Sequence, residues 1–115
     1  MIKQTCKKRK KELQMTPKKT KAFIKWFDNL PNNVQDEVVI YINRVLVGNT
    51  SNCNPLRKGI SEIKINYQKG YRVYYSVLQN NVILLLLYGG YKDSQAEDIK
   101  VAIEIKEYLK KSGTI

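Results

Sequence analysis

The stretch IKINYQKGYRVYYSV, residues 63–77, alternates apolar and polar side chains on both sides of a short polar turn. A repeat of two residues is the spacing of a β-strand with one buried face, and a short turn that contains glycine suits a hairpin. The apolar positions are Ile63, Ile65 and Tyr67 before the turn and Tyr71, Val73, Tyr75 and Val77 after it. The sequence therefore predicts two antiparallel strands joined at Gln68-Lys69-Gly70.

The region after this hairpin predicts a third strand and a helix. Val82 to Tyr88 is continuously apolar, which is typical of a central strand covered on both faces. We expect Gly89-Gly90 to end this strand, because a glycine pair usually marks a turn. Ser94 and Glu97 have the spacing of a capping box and predict the start of a C-terminal helix.

Two amphipathic helices are predicted before the hairpin. The first has apolar residues at helical spacing, namely Phe23, Trp26, Phe27 and Leu30. Pro31 ends it and suits the start of a second helix, whose apolar residues are Val34, Val38, Tyr41, Ile42 and Val45. We expect Glu12 to Thr16 to form a short first strand closed by Pro17, and Thr50 to Gly59 to form a loop.

These elements predict an α+β domain with the order β-α-α-β-β-β-α. Three strands form an antiparallel meander sheet, which is packed by the αα-hairpin and by the C-terminal helix. The length of 115 residues suits one such domain, and we assign residues 12–115 to it.

Positive charge is concentrated at the beginning of the chain. The 21 Lys and Arg residues exceed the 10 Asp and Glu residues and give a net charge of +11, and residues 1–11 contribute +6 without an acidic residue. We interpret residues 1–11 as a flexible basic arm. Such an arm favours a polyanionic partner such as nucleic acid or the ribosome, although it can equally be a solvated tail.

Several kinds of site are excluded or disfavoured by composition. The chain has no histidine and two cysteines, Cys6 and Cys53, which excludes a four-ligand zinc site and a nucleophile activated by histidine. Asp93, Glu97 and Asp98 could hold magnesium, but carboxylates at a helix start serve capping equally well. We therefore expect no metal and no cofactor. No apolar run reaches the length of a membrane span or a signal peptide, which predicts a cytoplasmic protein.

Alternation also predicts which polar residues share a face of the sheet. If Ile63, Tyr71 and their apolar partners point into the core, then Lys64, Arg72 and Tyr74 point the other way. Lys92 follows the third strand and can reach the same edge, beside the start of the last helix. Cations and helix N–H groups together favour a phosphate. The alternative is an ordinary solvated sheet face.

Four segments follow one another in a recognisable order. They are the helix pattern of Phe23, Trp26 and Leu30, then GISEIKI at 59–65, GYRVYY at 70–75 and GGYKDSQAEDI at 89–99. Together they resemble the RelE/HigB toxins of type II toxin–antitoxin systems, which belong to the RelE/ParE superfamily. The subgroup that they resemble most is the phage-derived, addiction-module killer proteins, and the similarity runs from about Leu13 to Lys110.

This resemblance implies a RelE-like fold and a cytoplasmic, ribosome-dependent mRNA endoribonuclease that blocks translation. In such enzymes the ribose 2′-OH attacks the adjacent phosphate without a metal, and basic side chains stabilise the charge that develops. Carried over by motif, the catalytic residues are Arg72 as phosphate ligand, Lys92 as acid or phosphate clamp, and Lys64. The implied partners are a helix-turn-helix antitoxin, the ribosome and mRNA.

We expect a further set of residues to bind RNA or support the site, namely Tyr74, Tyr91, Gln95, Asp98 and Asn66. Gln95 and Asp98 match polar positions of the family at the helix start, whereas Tyr91 and Asn66 depart from the family pattern. Tyr91 can stack on a base or simply pack, and Asn66 stands where some relatives carry histidine. Without histidine, the general base is a lysine, an ionised tyrosine or a carboxylate. Two other functions remain open on the same fold. They are a ParE-like inhibitor of DNA gyrase and a catalytically inactive remnant that binds RNA or an antitoxin.

Overall fold

The computed structural model describes residues 15–115, so the basic arm and most of the predicted first strand lie outside the described residues. The described part has three α-helices: α1 (Lys21–Asp28), α2 (Asn32–Leu46) and α3 (Gln95–Lys111). Its five strands are β1 (Thr16–Lys19), β2 (Cys53–Pro55), β3 (Ser61–Ile65), β4 (Tyr71–Leu78) and β5 (Ile83–Tyr91). A short 3-10 helix, Lys92–Ser94, connects β5 to α3.

The five strands form one sheet in the order β1-β5-β4-β3-β2. β1 runs parallel to β5, and the other neighbours are antiparallel. The predicted α+β class and the meander of β3, β4 and β5 are therefore confirmed. The predicted loop Thr50–Gly59 was wrong in part, because it contains β2. Three residues ending in proline carry almost no local strand signal, and β2 forms because β3 offers it an edge.

Proline does not close the first strand, and this prediction was wrong. Thr16 N donates to Val82 O at 2.8 Å and Thr20 N donates to Leu86 O at 3.1 Å, so β1 continues through Pro17 along β5. N–H groups alternate in direction along a strand, so the N–H that Pro17 lacks would face the open edge of the sheet. The proline removes no bond to β5 and makes this edge a poor template for another strand.

The glycine pair also does not end its strand, contrary to our prediction. β5 continues to Tyr91, with Gly89 opposite Val73 and Gly90 opposite Arg72. Both glycines are buried, because Gly89 faces α1 and Gly90 faces α3. A Cβ on Gly89 would overlap the indole ring of Trp26 in α1, which explains why this position has no side chain.

The helices cover both faces of the sheet. One face packs against α1 and α2 through a cluster that includes Phe23, Val38, Ile63 and Val73. The other face packs against α3 through a second cluster, with Leu87 and Ala102 fully buried. β5 lies under helices on both sides, which is why its sequence is apolar without alternation.

Both ends of α1 differ in detail from a simple helical repeat. Thr20 is the N-cap of α1, because its Oγ1 accepts from Phe23 N at 3.0 Å and donates to Leu87 O at 2.7 Å. α1 ends at Asp28, so Leu30, which we predicted in the helix, is buried just beyond it.

None of the helices between residues 15 and 115 has the length and hydropathy needed to cross a membrane.

Candidate active site

A row of residues crosses three strands on the α3 side of the sheet. Lys64 in β3 is directly opposite Arg72 in β4, and Arg72 is opposite Gly90 in β5. The prediction that Lys64 and Arg72 share one surface is confirmed. The start of α3 lies beside this row, because Gln95, its first residue, contacts Glu62 in β3.

Lys92 lies at the same end of the sheet. Its backbone N donates to Gly70 O at 3.3 Å, and its Cδ is 3.1 Å from the position of a Cβ on Gly70. The side chain therefore runs along the residue that precedes β4, and it is exposed. The three basic residues predicted from the sequence are thus neighbours at one end of β3, β4 and β5.

Arg72 is not an open cation on a solvated face. Its side chain is 12% exposed, and its Nε lies 3.7 Å from Glu62 Oε1. Nη1 donates to the carbonyl oxygen of Tyr71 at 3.1 Å. The guanidinium is therefore held on two sides, and its charge is partly balanced before any ligand binds.

Glu62 is the residue that our sequence analysis missed. It lies in β3 and is buried, and Gln95 Nε2 donates to its Oε1 at 2.5 Å. Asn54 Nδ2 in β2 donates to its Oε2 at 3.3 Å. One signal was present in the sequence, because Glu62 is two residues before Lys64 and must share its face. The contact with Asn54 could not be foreseen without β2.

Asp98 forms a second polar contact beside this row. It is 8% exposed, and its carboxylate forms a short hydrogen bond with the hydroxyl of Ser94. Ser94 Oγ is also 3.1 Å from Tyr91 O, and it caps no N–H group of α3. The predicted capping box was therefore wrong, since Asp98 takes the hydroxyl and Glu97 is exposed beside Lys100.

Tyr74 shares the face of Arg72, as alternation predicts, but α3 covers it completely. Burial raises the pKa of its hydroxyl above the usual range, and the charges of Asp98 and Glu62 raise it further, against a smaller opposite effect of Arg72. Burial under α3 separates Tyr74 from the surface, and the raised pKa makes its hydroxyl a poor general base.

Two buried polar atoms beside Glu62 have no hydrogen-bond partner among residues 15–115. They are Tyr74 Oη and Arg72 Nε. The distance of 3.7 Å between Arg72 Nε and Glu62 Oε1 is thus an electrostatic contact rather than a hydrogen bond.

The remaining predicted residues occupy the rim. Tyr91 is 42% exposed, with its ring 5.3 Å from that of Tyr71 and with Lys69 Nζ 4.4 Å from its centroid. Its ring contacts a residue of the α1–α2 core, so it belongs to the opposite side of the sheet from Arg72. Asn66 is exposed just after β3.

Lys64, Arg72 and Lys92 do not line the cavity beside β1. A cavity of about 540 Å³ lies between β1, β5 and the end of α3, lined by residues such as Lys18, Leu85 and Leu109. Arg72 does not line it. Within residues 15–115, no three His, Cys, Asp or Glu side chains are grouped as metal ligands are.

Comparison with known proteins gives matches over most of the chain. Residues 25–109 match the model of the family described as phage derived protein Gp49-like (DUF891). An uncharacterized protein of Haemophilus influenzae is 37% identical over 86 residues, which are 74% of this chain and 86% of that protein.

Solved structures of RelE toxins have a similar fold. The RelBE toxin-antitoxin complex of E. coli contains a chain with a TM-score of 0.58 and 21% identity, covering 67% of this chain and 95% of that chain. A mutant of E. coli RelE in the free state gives a TM-score of 0.59 at 20% identity, covering 77% and 97%. RelBE2 of Mycobacterium tuberculosis gives 0.53 at 18% identity, covering 70% and 100%.

Proposed function

Because the chain belongs to the phage-derived Gp49-like family and has a RelE-like fold, we propose that it is the toxin of a toxin–antitoxin module. We further propose that it cleaves mRNA on the ribosome, in the cytoplasm, and that an antitoxin of the helix-turn-helix type neutralises it. The observation that supports this best is the row of Lys64 opposite Arg72, with Lys92 at the same end of the sheet.

The proposed chemistry is the attack of a ribose 2′-OH on the adjacent phosphate. Negative charge grows on the phosphate oxygens in the transition state, and fixed donors there lower the barrier. Arg72 can donate from Nη2, since its Nε and Nη1 face Glu62 and Tyr71. Lys64 faces the phosphate from the neighbouring strand, and Lys92 acts as acid or phosphate clamp.

The supporting residues have different roles in this proposal. Gln95 and Asp98 are engaged with Glu62 and Ser94, so they shape the site rather than bind RNA. Tyr91 and Asn66 remain at the rim, where an aromatic ring can stack on a base. The basic arm, residues 1–11, is proposed to contact ribosomal RNA.

A second candidate is a ParE-like inhibitor of DNA gyrase. The pairing of Arg72 with Glu62 favours it, because an ion pair leaves less charge for a phosphate. In that case Arg72 is structural, and the neighbouring lysines bind no RNA.

The test is controlled expression in bacteria, with mRNA ends mapped by primer extension. Removing Arg72 would leave Glu62 buried without its cation, so the informative variant is Lys64→Ala/Lys92→Ala. The matched control is Lys21→Ala/Lys25→Ala, which removes two exposed charges from α1. We expect wild type and control to arrest growth with cuts in translated frames. The site variant should cut at least about 100-fold more slowly, as for the loss of one oxyanion donor.

Two outcomes would contradict the proposal. Equal cleavage by the site variant and the control would show that Lys64 and Lys92 do not contribute to cleavage. Growth arrest with intact mRNA and damaged DNA would favour the gyrase inhibitor. Circular dichroism of the purified variants checks that both remain folded.

A further inference from the structure

Glu62 is a buried charge without a part in the cleavage chemistry described above. It is 3% exposed in a strand whose neighbouring positions, Ile63 and Ile65, are core residues. A buried carboxylate is unfavourable unless it is paired and hydrogen-bonded. Its environment therefore has to supply both, and the structure shows how.

Three elements of the fold supply partners to Glu62. Asn54 in β2 and Gln95 at the start of α3 donate to different oxygens of the carboxylate, at 3.3 and 2.5 Å. Arg72 in β4 supplies the positive charge, with Nε 3.7 Å from Oε1. The carboxylate is thus fixed by two amides, while the guanidinium is attracted by charge and not by a hydrogen bond to it.

The contacts of Arg72 with Glu62 and with the Tyr71 carbonyl restrict its side chain to one orientation. A long arginine side chain has many rotamers, and an unpaired one on a sheet face samples several of them. Here the Glu62 carboxylate attracts the Nε side and the Tyr71 carbonyl accepts from Nη1. Within residues 15–115, Arg72 Nη2 donates to no protein acceptor, and Arg72 itself lies directly opposite Lys64.

We propose that Glu62 is a positioning residue, which holds the guanidinium of Arg72 so that Nη2 faces the reacting phosphate beside Lys64. This inference rests on the proposed function, because it assigns Glu62 a role in RNA cleavage. Asn54 and Gln95 fix Glu62 in turn, so that β2 and α3 determine the direction of a donor in β4.

The proposal predicts that a change at Glu62 lowers the cleavage rate without weakening RNA binding. Glu62→Gln keeps the size of the side chain and removes the charge that attracts Arg72. Because glutamine has a single acceptor oxygen, it accepts from only one of Asn54 and Gln95, and the other amide has to turn its oxygen toward the new NH2 group. RNA binding should be unchanged or tighter, because the protein gains a net positive charge. The cleavage rate should fall about 10- to 100-fold, since misplacement of a catalytic group by 1 Å can reduce a rate about 100-fold.

The experiment uses the full chain with translating ribosomes carrying a defined mRNA. Cleavage is measured at saturating toxin and as a function of toxin concentration, which gives the rate and the apparent affinity separately. The variants are Glu62→Gln and Gln95→Ala, with Glu104→Gln as a control that removes an exposed carboxylate from α3. Glu62→Gln should cleave slowly with normal affinity, Gln95→Ala should lie between it and wild type, and Glu104→Gln should match wild type.

A second comparison separates positioning from structural damage. In an Arg72→Lys background the planar guanidinium is absent, so Glu62→Gln should cause little further loss of rate. If Glu62→Gln lowers the rate in the Arg72→Lys background by the same factor as in wild type, the proposal is overturned. A wild-type rate for Glu62→Gln alone would also overturn it, as would a parallel loss of affinity and rate. If Glu62→Gln does not fold, a wild-type rate for Gln95→Ala overturns it. Wild type that leaves mRNA intact would overturn the proposed function itself.

Discussion

Gly90→Ala is expected to destabilise the protein strongly although the backbone at position 90 accepts alanine. Gly90 lies in β5 opposite Arg72 and under the first turn of α3. A Cβ there would overlap the Asp98 Oδ2 atom and would lie 2.8 Å from Asp98 Cγ and 3.2 Å from Ser94 Oγ. The penalty therefore comes from one neighbouring side chain and not from backbone strain.

The magnitude follows from two effects. An extra methyl group in a packed interior costs about 1–3 kcal/mol. Moving Asp98 away from Ser94 removes a hydrogen bond to a charged group, which contributes about 1.5–3 kcal/mol. Together they reduce the free energy of unfolding by roughly 2.5–6 kcal/mol, a large part of the 5–15 kcal/mol typical of a domain.

The assay is urea unfolding followed by the fluorescence of Trp26, the single tryptophan of the chain. The same substitution is then made in an Asp98→Ala background, where the overlapping carboxylate is absent. We expect the penalty of Gly90→Ala to fall below about 1 kcal/mol in that background, since coupling is found between residues in contact. An equal penalty in both backgrounds would refute the steric explanation, and so would a Gly90→Ala protein as stable as wild type.

Two further predictions concern single hydroxyl groups. Tyr74→Phe should keep or raise the free energy of unfolding at pH 7, because it removes a buried hydroxyl without a partner among residues 15–115. Burial raises the pKa of Tyr74, so the folded protein keeps a proton that the unfolded chain releases near pH 10. Wild type should therefore lose stability as the pH rises above about 10, and Tyr74→Phe should lose less in urea titrations at each pH. Thr20→Ala should cost about 1–2 kcal/mol in thermal or urea unfolding because α1 loses its cap, whereas Thr20→Ser should retain most of the stability.

The parts of the fold that were predictable are those set by local periodicity. The two-residue repeat on both sides of Gln68-Lys69-Gly70 determined which side chains face the core, so Lys64 and Arg72 could be expected on one face. The register was not predictable, because a turn at residues 68–70 would place Tyr67 opposite Tyr71. In the structure β3 ends at Ile65, which is opposite Tyr71, and this places Lys64 opposite Arg72. The helical repeats before Gly48 were equally clear, because each apolar face is complete within its own segment.

The parts that were not predictable depend on contacts between distant segments. β2 is a strand only because β3 provides an edge, and β1 passes through Pro17 only because β5 accepts its neighbours' N–H groups. Gly89-Gly90 has the local composition of a turn. In the folded protein the two glycines admit Trp26 on one face and Asp98 on the other, so the strand continues where the helices approach it most closely.

For the same reason, the sequence indicated the sheet face of Arg72 but not the burial of its side chain. Alternation placed it on the right face, yet its burial depends on where α3 begins. Tyr74, two residues further along β4, is fully covered by α3, while Arg72 keeps 12% of its side chain exposed. The 3-10 turn Lys92–Ser94 delays the start of α3 by three residues and brings Gln95 onto Glu62. The exposure of Arg72 is therefore set by a contact between α3 and β3, which the alternation within β4 cannot indicate.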